Sequence, residues 1–195
     1  MPQNFWMIVC NADNFRITQE RGFTLQGLKA QHRRKIQRVG VGDRILYFVS
    51  HVRRFTATAT ATSGYFEDST PIWEKEGKAD WPYRVKIKPE VVLEESQYID
   101  ANLLAPRLDY VRRWPPENWY MAFQGNLHLL PKSDFLIIEE EMKKLKQGPD
   151  YDPAAAVTFS ASPKRKWTGR RRPRPAAEAS AAPAGNQVGG SQTPS

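Results

Sequence analysis

The stretch Val41-Gly42-Asp43-Arg44-Ile45-Leu46-Tyr47-Phe48-Val49-Ser50, followed after a short break by Phe55-Thr56-Ala57-Thr58-Ala59-Thr60-Ala61-Thr62, decides the fold class. Gly42-Asp43 is a turn signal. The apolar residues behind it, Ile45 to Val49, are rich in β-branched and aromatic types and predict a strand. The second run alternates with period two, which sets its threonines on one face and its alanines on the other. Small alanines suit the inner face where a curved sheet closes tightly. Two neighbouring strands of this kind predict a small curved sheet or barrel.

Working outward, Phe5-Trp6-Met7-Ile8-Val9-Cys10 is a continuous apolar run suited to a buried strand. Residues 83–93 predict another, with Val85 and Ile87 facing inward and Arg84, Lys86 and Lys88 on the solvated face. Thr24 is positioned to cap a short helix over 25–29, although Gly27 weakens such a helix. Asp100 is positioned to cap a second one, 101–104, stopped by Pro106. Residues 119–123 look like a strand, followed by a Gln124-Gly125-Asn126 turn and the apolar run 127–130. The best helix spans 132–146, with Phe135, Ile138, Met142 and Leu145 at helical spacing. Its glutamates come early and its lysines late, matching the helix dipole. Five or six strands with two or three short helices make an α+β domain.

Composition changes at Gly148-Pro149. Beyond it Ala, Pro, Ser and Gly dominate, and such a segment buries too little surface to offset its ordering entropy. The expectation is one domain over 1–148 and a disordered basic tail over 149–195. Seven basic residues (Lys164, Arg165, Lys166, Arg170, Arg171, Arg172 and Arg174) against Asp152 and Glu178 give the segment from Tyr151 a charge of +5. Of the chain's net +8, that leaves +3 for residues 1–150. This asymmetry points to a polyanionic partner, and the tail clusters are its candidate nucleic-acid contacts.

Several classes are excluded or disfavoured. One cysteine, Cys10, rules out an internal disulfide framework and any multi-cysteine metal site; it reads as packing. No apolar stretch approaches the roughly 20 residues that span a bilayer, and the start lacks a signal-peptide pattern. A cytoplasmic protein without membrane partners is expected. His32, His51 and His128 lie in no metal-binding spacing, and there is no Walker loop, nucleophile elbow or dinucleotide fingerprint. Glu94-Glu95 and Glu139-Glu140-Glu141 read as solvated faces. The expectation is therefore no enzyme, no metal and no cofactor.

Nucleic-acid binding has positive signals. His32-Arg33-Arg34-Lys35-Ile36-Gln37-Arg38 packs four permanent charges into six positions, and Arg53-Arg54 adds two more. Such clusters bind phosphate backbones, which makes Arg33, Arg34, Lys35, Arg38, Arg53 and Arg54 the candidate phosphate contacts. Trp73, Trp81, Trp114 and Trp119 lie in or beside polar loops. An indole at a strand entrance is a natural stacking platform for an unpaired base.

The order of these motifs resembles the EVE domain family of the PUA-like superfamily, relatives of YTH modified-base readers. The resemblance covers nearly all of residues 4–146 and rests on six features. They are Phe5-Trp6-Met7-Ile8-Val9 leading into Asn11, Gly22-Phe23 with Gln26-Gly27-Leu28-Lys29, the Gly42-Asp43 turn and strand ending at Ser50, the strand start Phe55-Thr56-Ala57, Pro82-Tyr83-Arg84-Val85, and the closing Pro131-Lys132-Ser133-Asp134-Phe135-Leu136-Ile137-Ile138. Many members carry His-Gly-Lys after the Gly-Phe segment, where this chain has Gln26-Gly27-Leu28-Lys29. The resemblance implies a PUA-like curved β-barrel with flanking short helices and a C-terminal helix. It also implies a concave pocket for a flipped or unpaired, in some members modified, base in DNA or RNA. By motif position that pocket is lined by Asn11, Phe23, Ser50, His51, Trp81 and Gln124. Two other readings remain open: an enzyme acting on nucleic acid through the same pocket, and a protein-interaction module with a basic tail.

Overall fold

The computed structural model describes residues 3–75, 78–79 and 81–147, so the expectations for the 149–195 tail lie outside the described residues. In chain order the elements are β1 (Phe5–Cys10), α1 (Ala12–Glu20), β2 (Leu25–Leu28), α2 (Arg33–Ile36), β3 (Arg44–Val49) and β4 (Arg54–Ala61). The short strands β5 (Phe66–Glu67), β6 (Glu74–Lys75) and β7 (Lys78–Ala79) follow. Then come β8 (Tyr83–Val92), β9 (Ile99–Asp100), α3 (Ala101–Leu104), β10 (Leu127–Leu129) and α4 (Lys132–Gln147).

The main sheet runs β10-β1-β3-β4-β8-β2. β1 and β3 pair in parallel; the other pairs are antiparallel. β8 is ten residues long and serves three partners, the short β5 among them, with Phe66 opposite Arg84 and Glu67 opposite Tyr83. Its later half pairs β4, from Ile87 opposite Ala61 to Val92 opposite Ala57. Its first half pairs β2, from Tyr83 opposite Leu28 to Lys86 opposite Leu25. Register shifts at Tyr47/Phe48 and Thr58/Ala59 add local twist. The result is a mixed α+β half-barrel with short helices and a C-terminal helix, as the sequence predicts.

The continuous apolar character of β1 follows from burial on both faces. Phe5, Met7 and Val9 join Leu46, Phe48, Phe55 and the α4 residues Phe135, Ile138 and Met142 in one core. Trp6 and Ile8 point the other way, into the concave side, with Ile45, Tyr47, Ala57, Ala59, Ala61, Val85 and Ile87. The three alanines of β4 therefore do line the inner face. Phe15, Phe23, Leu28 and Ile36 fill that interior, so the hollow of the half-barrel is packed. The Gly-Asp turn is held by its buried carboxylate: Asp43 accepts from Trp6 Nε1 at 2.8 Å, the Asn4 amide at 2.8 Å and the Gly40 amide at 3.1 Å.

Four expectations need correction. Residues 25–28 form a strand, because four residues carry little helical preference and β8 offers Gln26 and Gly27 ladder partners. Residues 119–123 lie in a 3-10 segment, Pro116–Phe123, in which proline at the first position favours helical geometry over a strand. Glu139 and Glu141 are buried, where basic side chains meet them: Arg44 and Lys143 at Glu139, Arg107 and Lys144 at Glu141. Arg84 is only 2% exposed, because the 68–73 segment folds over the outer face of β8 and covers it. The structure adds a helix with no clear apolar stripe, α1, which Asn11 caps by accepting from the Asn14 amide at 2.8 Å. The predicted cap of α3 is present, with Asp100 accepting from the Asn102 amide at 2.8 Å.

Candidate nucleic-acid interface

Opposite Gly27 in the β2–β8 ladder stands Arg84, and both look to the outer side of the pair. Gly27 has no side chain, so the six-membered ring of Trp73 settles directly on it; a Cβ there would lie 2.3 Å from the ring. The indole N–H of Trp73 donates to Thr18 Oγ1 of α1 at 3.0 Å. The Arg84 guanidinium lies 5.6 Å from the indole centroid, within cation–π range. Arg84 in turn donates to Asp68 at 2.6 Å and to the Thr70 carbonyl. Those partners make burial of a charged group tolerable. Asp68 is correspondingly held below the usual carboxylate range, first by its hydrogen bonds to Thr70 and then by Arg84.

Trp81 forms the far side of this hollow. Between Trp73, Trp81, Pro82 and Arg84 remains a void of about 10 Å³, room for about one water. Lys29 sits over the Trp81 ring at 5.4 Å. From Lys29 the chain leaves β2 and enters the basic segment around α2. Arg33, Arg34 and Arg38 are exposed there, and none has an ion-pair partner among the described residues. Lys35 reaches the Leu127 carbonyl at 3.0 Å, tying α2 to β10. Like charges crowd this ridge. Partial burial, Lys35 and Lys29 lower the pKa of His32. Burial, Lys35 and His32 push His128 down to about 4, while its Nδ1 meets the Tyr110 hydroxyl at 2.7 Å. An anion arriving on the ridge would relieve this repulsion.

The residues predicted to line a pocket divide between separate neighbourhoods. Trp81 is at the outer hollow. Phe23 is inside the half-barrel, edge-on to Phe15 and Tyr47, with a left-handed φ of 52° that its ring packing offsets. Asn11 and Ser50 each follow the C-terminal end of one of the parallel strands β1 and β3, where Ser50 Oγ donates to the Cys10 carbonyl at 3.2 Å. His51 is exposed in the following turn. Gln124 is exposed, its amide 3.1 Å from Met121 Sδ. Of the arginine pair, Arg53 stacks on Tyr120 at 4.6 Å and Arg54 donates to the Tyr98 carbonyl at 3.4 Å. Cys10 is half-buried against the concave core and desolvation pushes its thiol up to about 12, consistent with a packing role.

Thr18, Gly27, Trp73 and Arg84 were not among the predicted pocket residues. The available signal was the pair Trp73 and Trp81 flanking a polar stretch. What hid the rest was the reading of 25–29 as helix, which left Gly27 without a partner strand and Arg84 on a solvated face.

Comparison with known proteins agrees with this architecture. Residues 4–115 match the EVE domain. The UPF0310 protein PH1033 of Pyrococcus horikoshii is 25% identical over 148 residues, covering 70% of this chain and 97% of that protein. Among solved structures, an Mmi1 YTH domain in an RNA complex superposes with a TM-score of 0.53 at 9% identity, covering 74% of this chain and 85% of its own. The YTH domain of Zygosaccharomyces rouxii MRB1, in complex with N6-methyladenosine RNA, gives 0.51 at 15% identity, covering 72% and 87%. At these identities the structural matches establish the fold.

Proposed function

Because the chain belongs to the EVE domain family, we propose that it is a non-catalytic, cytoplasmic nucleic-acid binder that reads an unpaired or flipped base, methylated bases included. One observation carries this reading: the cationic ridge of Lys29, Arg33, Arg34 and Arg38, without an ion pair among the described residues, grows directly out of β2, whose Gly27 carries the Trp73 ring that walls the hollow beside Trp81. A polyanion lying on the ridge brings a base to the aromatic side chains. Phosphates supply affinity and the hollow supplies selectivity. Binding of N6-methyladenosine RNA by the MRB1 YTH domain makes methylated adenine the first modification to try. Arg53 and Arg54 already have partners inside the protein, so they contribute less than the ridge.

The test is a salt series of anisotropy titrations with single-stranded RNA and DNA, plain and methylated. Binding is expected with a log K that falls linearly with log salt, and Arg33→Ala, Arg34→Ala and Arg38→Ala together should flatten that slope by about three units. No binding to any oligonucleotide at low salt, or an unchanged slope in the triple variant, would overturn the proposal. Strand cleavage or base conversion on incubation with divalent metal would replace it with an enzymatic reading.

A further inference from the structure

The seat of Trp73 has the chemistry of a ligand site. Its floor is bare backbone at Gly27, where even a methyl group would collide with the ring. Its edge is a hydroxyl: Thr18 Oγ1 donates to the Asn14 carbonyl at 3.0 Å and is thereby free to accept the indole N–H. Its wall is a buried cation, Arg84, whose Nε atom has no hydrogen-bond partner among the described residues. Trp73 itself is 2% exposed, although it lies in the connection between β5 and β6 and joins neither of the two main core clusters. A flat floor, an acceptor for an N–H at the ring edge and a cation against the ring are what binds a planar heterocycle that carries a ring or exocyclic N–H. Indole and purine are both fused bicycles of similar size. The remaining void of about 10 Å³ cannot admit a base while the indole is in place.

We propose that Trp73 is an internal stand-in for the base: the Gly27–Thr18–Arg84 seat is the heterocycle site, and a ligand base enters by displacing the indole. This rests on the base-reading proposal above and adds how that site is gated. Arg84 keeps hold of Asp68 and Thr70 when the indole leaves, so the segment before Trp73 stays anchored. Trp81, with Lys29 on its ring, stands beside the vacated seat to stack on the incoming base. The resting occupant lowers apparent affinity by the fraction of time the seat is closed.

The test compares wild type, Trp73→Phe and Trp73→Ala against the same single-stranded oligonucleotides. Phenylalanine keeps a ring but loses the bond to Thr18, and losing one such hydrogen bond should favour opening by about fivefold. Trp73→Phe is therefore expected to bind about fivefold tighter, and Trp73→Ala tighter still if it folds. Wild-type tryptophan emission should shift to the red on binding as the indole meets water, and the shift should vanish in Trp73→Phe. Oligonucleotide binding by wild type with equal or weaker binding by both variants would overturn the displacement, making Trp73 a core filler or a wall, and leave base reading intact. No binding by any of the three, while free indole still raises the Tm of Trp73→Ala, would sink the base-reading proposal and the displacement with it.

Discussion

The charges on the α4 side of the molecule and those on the α2 side differ in one respect: only the first set is closed upon itself. On α4, Glu139 meets Arg44, Lys143 and the Thr58 hydroxyl, and Glu141 meets Arg107 and Lys144. These are structural charges, held in place because β4 turns its threonine face against the helix. Around α2, Arg33 and Arg34 project from a four-residue helix and Arg38 from the turn just after it, none in an ion pair among the described residues. All three are exposed and open to solvent. An excess of positive charge in a sequence thus splits into a part that holds the protein together and a part available to a partner.

The contrast can be broken most severely at Glu139. It is 2% exposed, and Glu139→Ala strands Arg44 beside a buried gap, which should cost about 3–5 kcal/mol of stability. Chemical denaturation would show this, with oligonucleotide affinity unchanged at temperatures where the variant is folded. Gly27→Ala comes next: the clash with the Trp73 ring should cost about 1–3 kcal/mol, read as a shift in the denaturation midpoint. The triple ridge variant should sharpen the contrast from the other side, with stability within about 0.5 kcal/mol of wild type despite its weakened binding. A stability loss as large as that of Glu139→Ala would erase the distinction.

Smaller effects test the edges of the same comparison. His128 stays neutral in the fold to about pH 4, whereas unfolded it takes up a proton near 6.5. The unfolded chain therefore binds more protons between those values, and stability, complete above pH 6.5, should decline as pH falls toward 4. His128→Gln should reduce the difference in denaturation midpoint between pH 7 and pH 4.5. The 149–195 tail should give the mildest result. Its removal is expected to weaken binding by a similar factor for every sequence and to lower the salt slope, without altering base preference. A changed preference would mean that the tail, and not the Trp73 seat, reads bases.

How much was legible in advance varied with the range of the interactions involved. β1, β3, β4, β8 and α4 announced themselves because each carries six or more residues of consistent pattern, and burial on both faces of β1 matches its unbroken apolar run. β2 did not, since four residues have no period to read and its identity as a strand depends on β8, more than fifty positions away. Arg84 alternates correctly with Val85 and yet is buried, because the 68–73 segment was free, on sequence grounds, to lie anywhere. The cap at Asn11 escaped notice because α1 buries only Phe15 and Thr18, too few for an amphipathic stripe.

The sequence by itself determined the class of the fold, the location of the basic segments and the presence of spare tryptophans, because those depend on local pattern and composition. Which arginines are spent in ion pairs, which glutamates are buried, and that one indole occupies a seat of backbone, hydroxyl and cation were decided only by tertiary structure. Such features need groups from α1, β2, β8 and the connection after β5 to converge. Convergence of that kind is a property of the folded chain as a whole, set by how the sheet curls and what then covers its outer face.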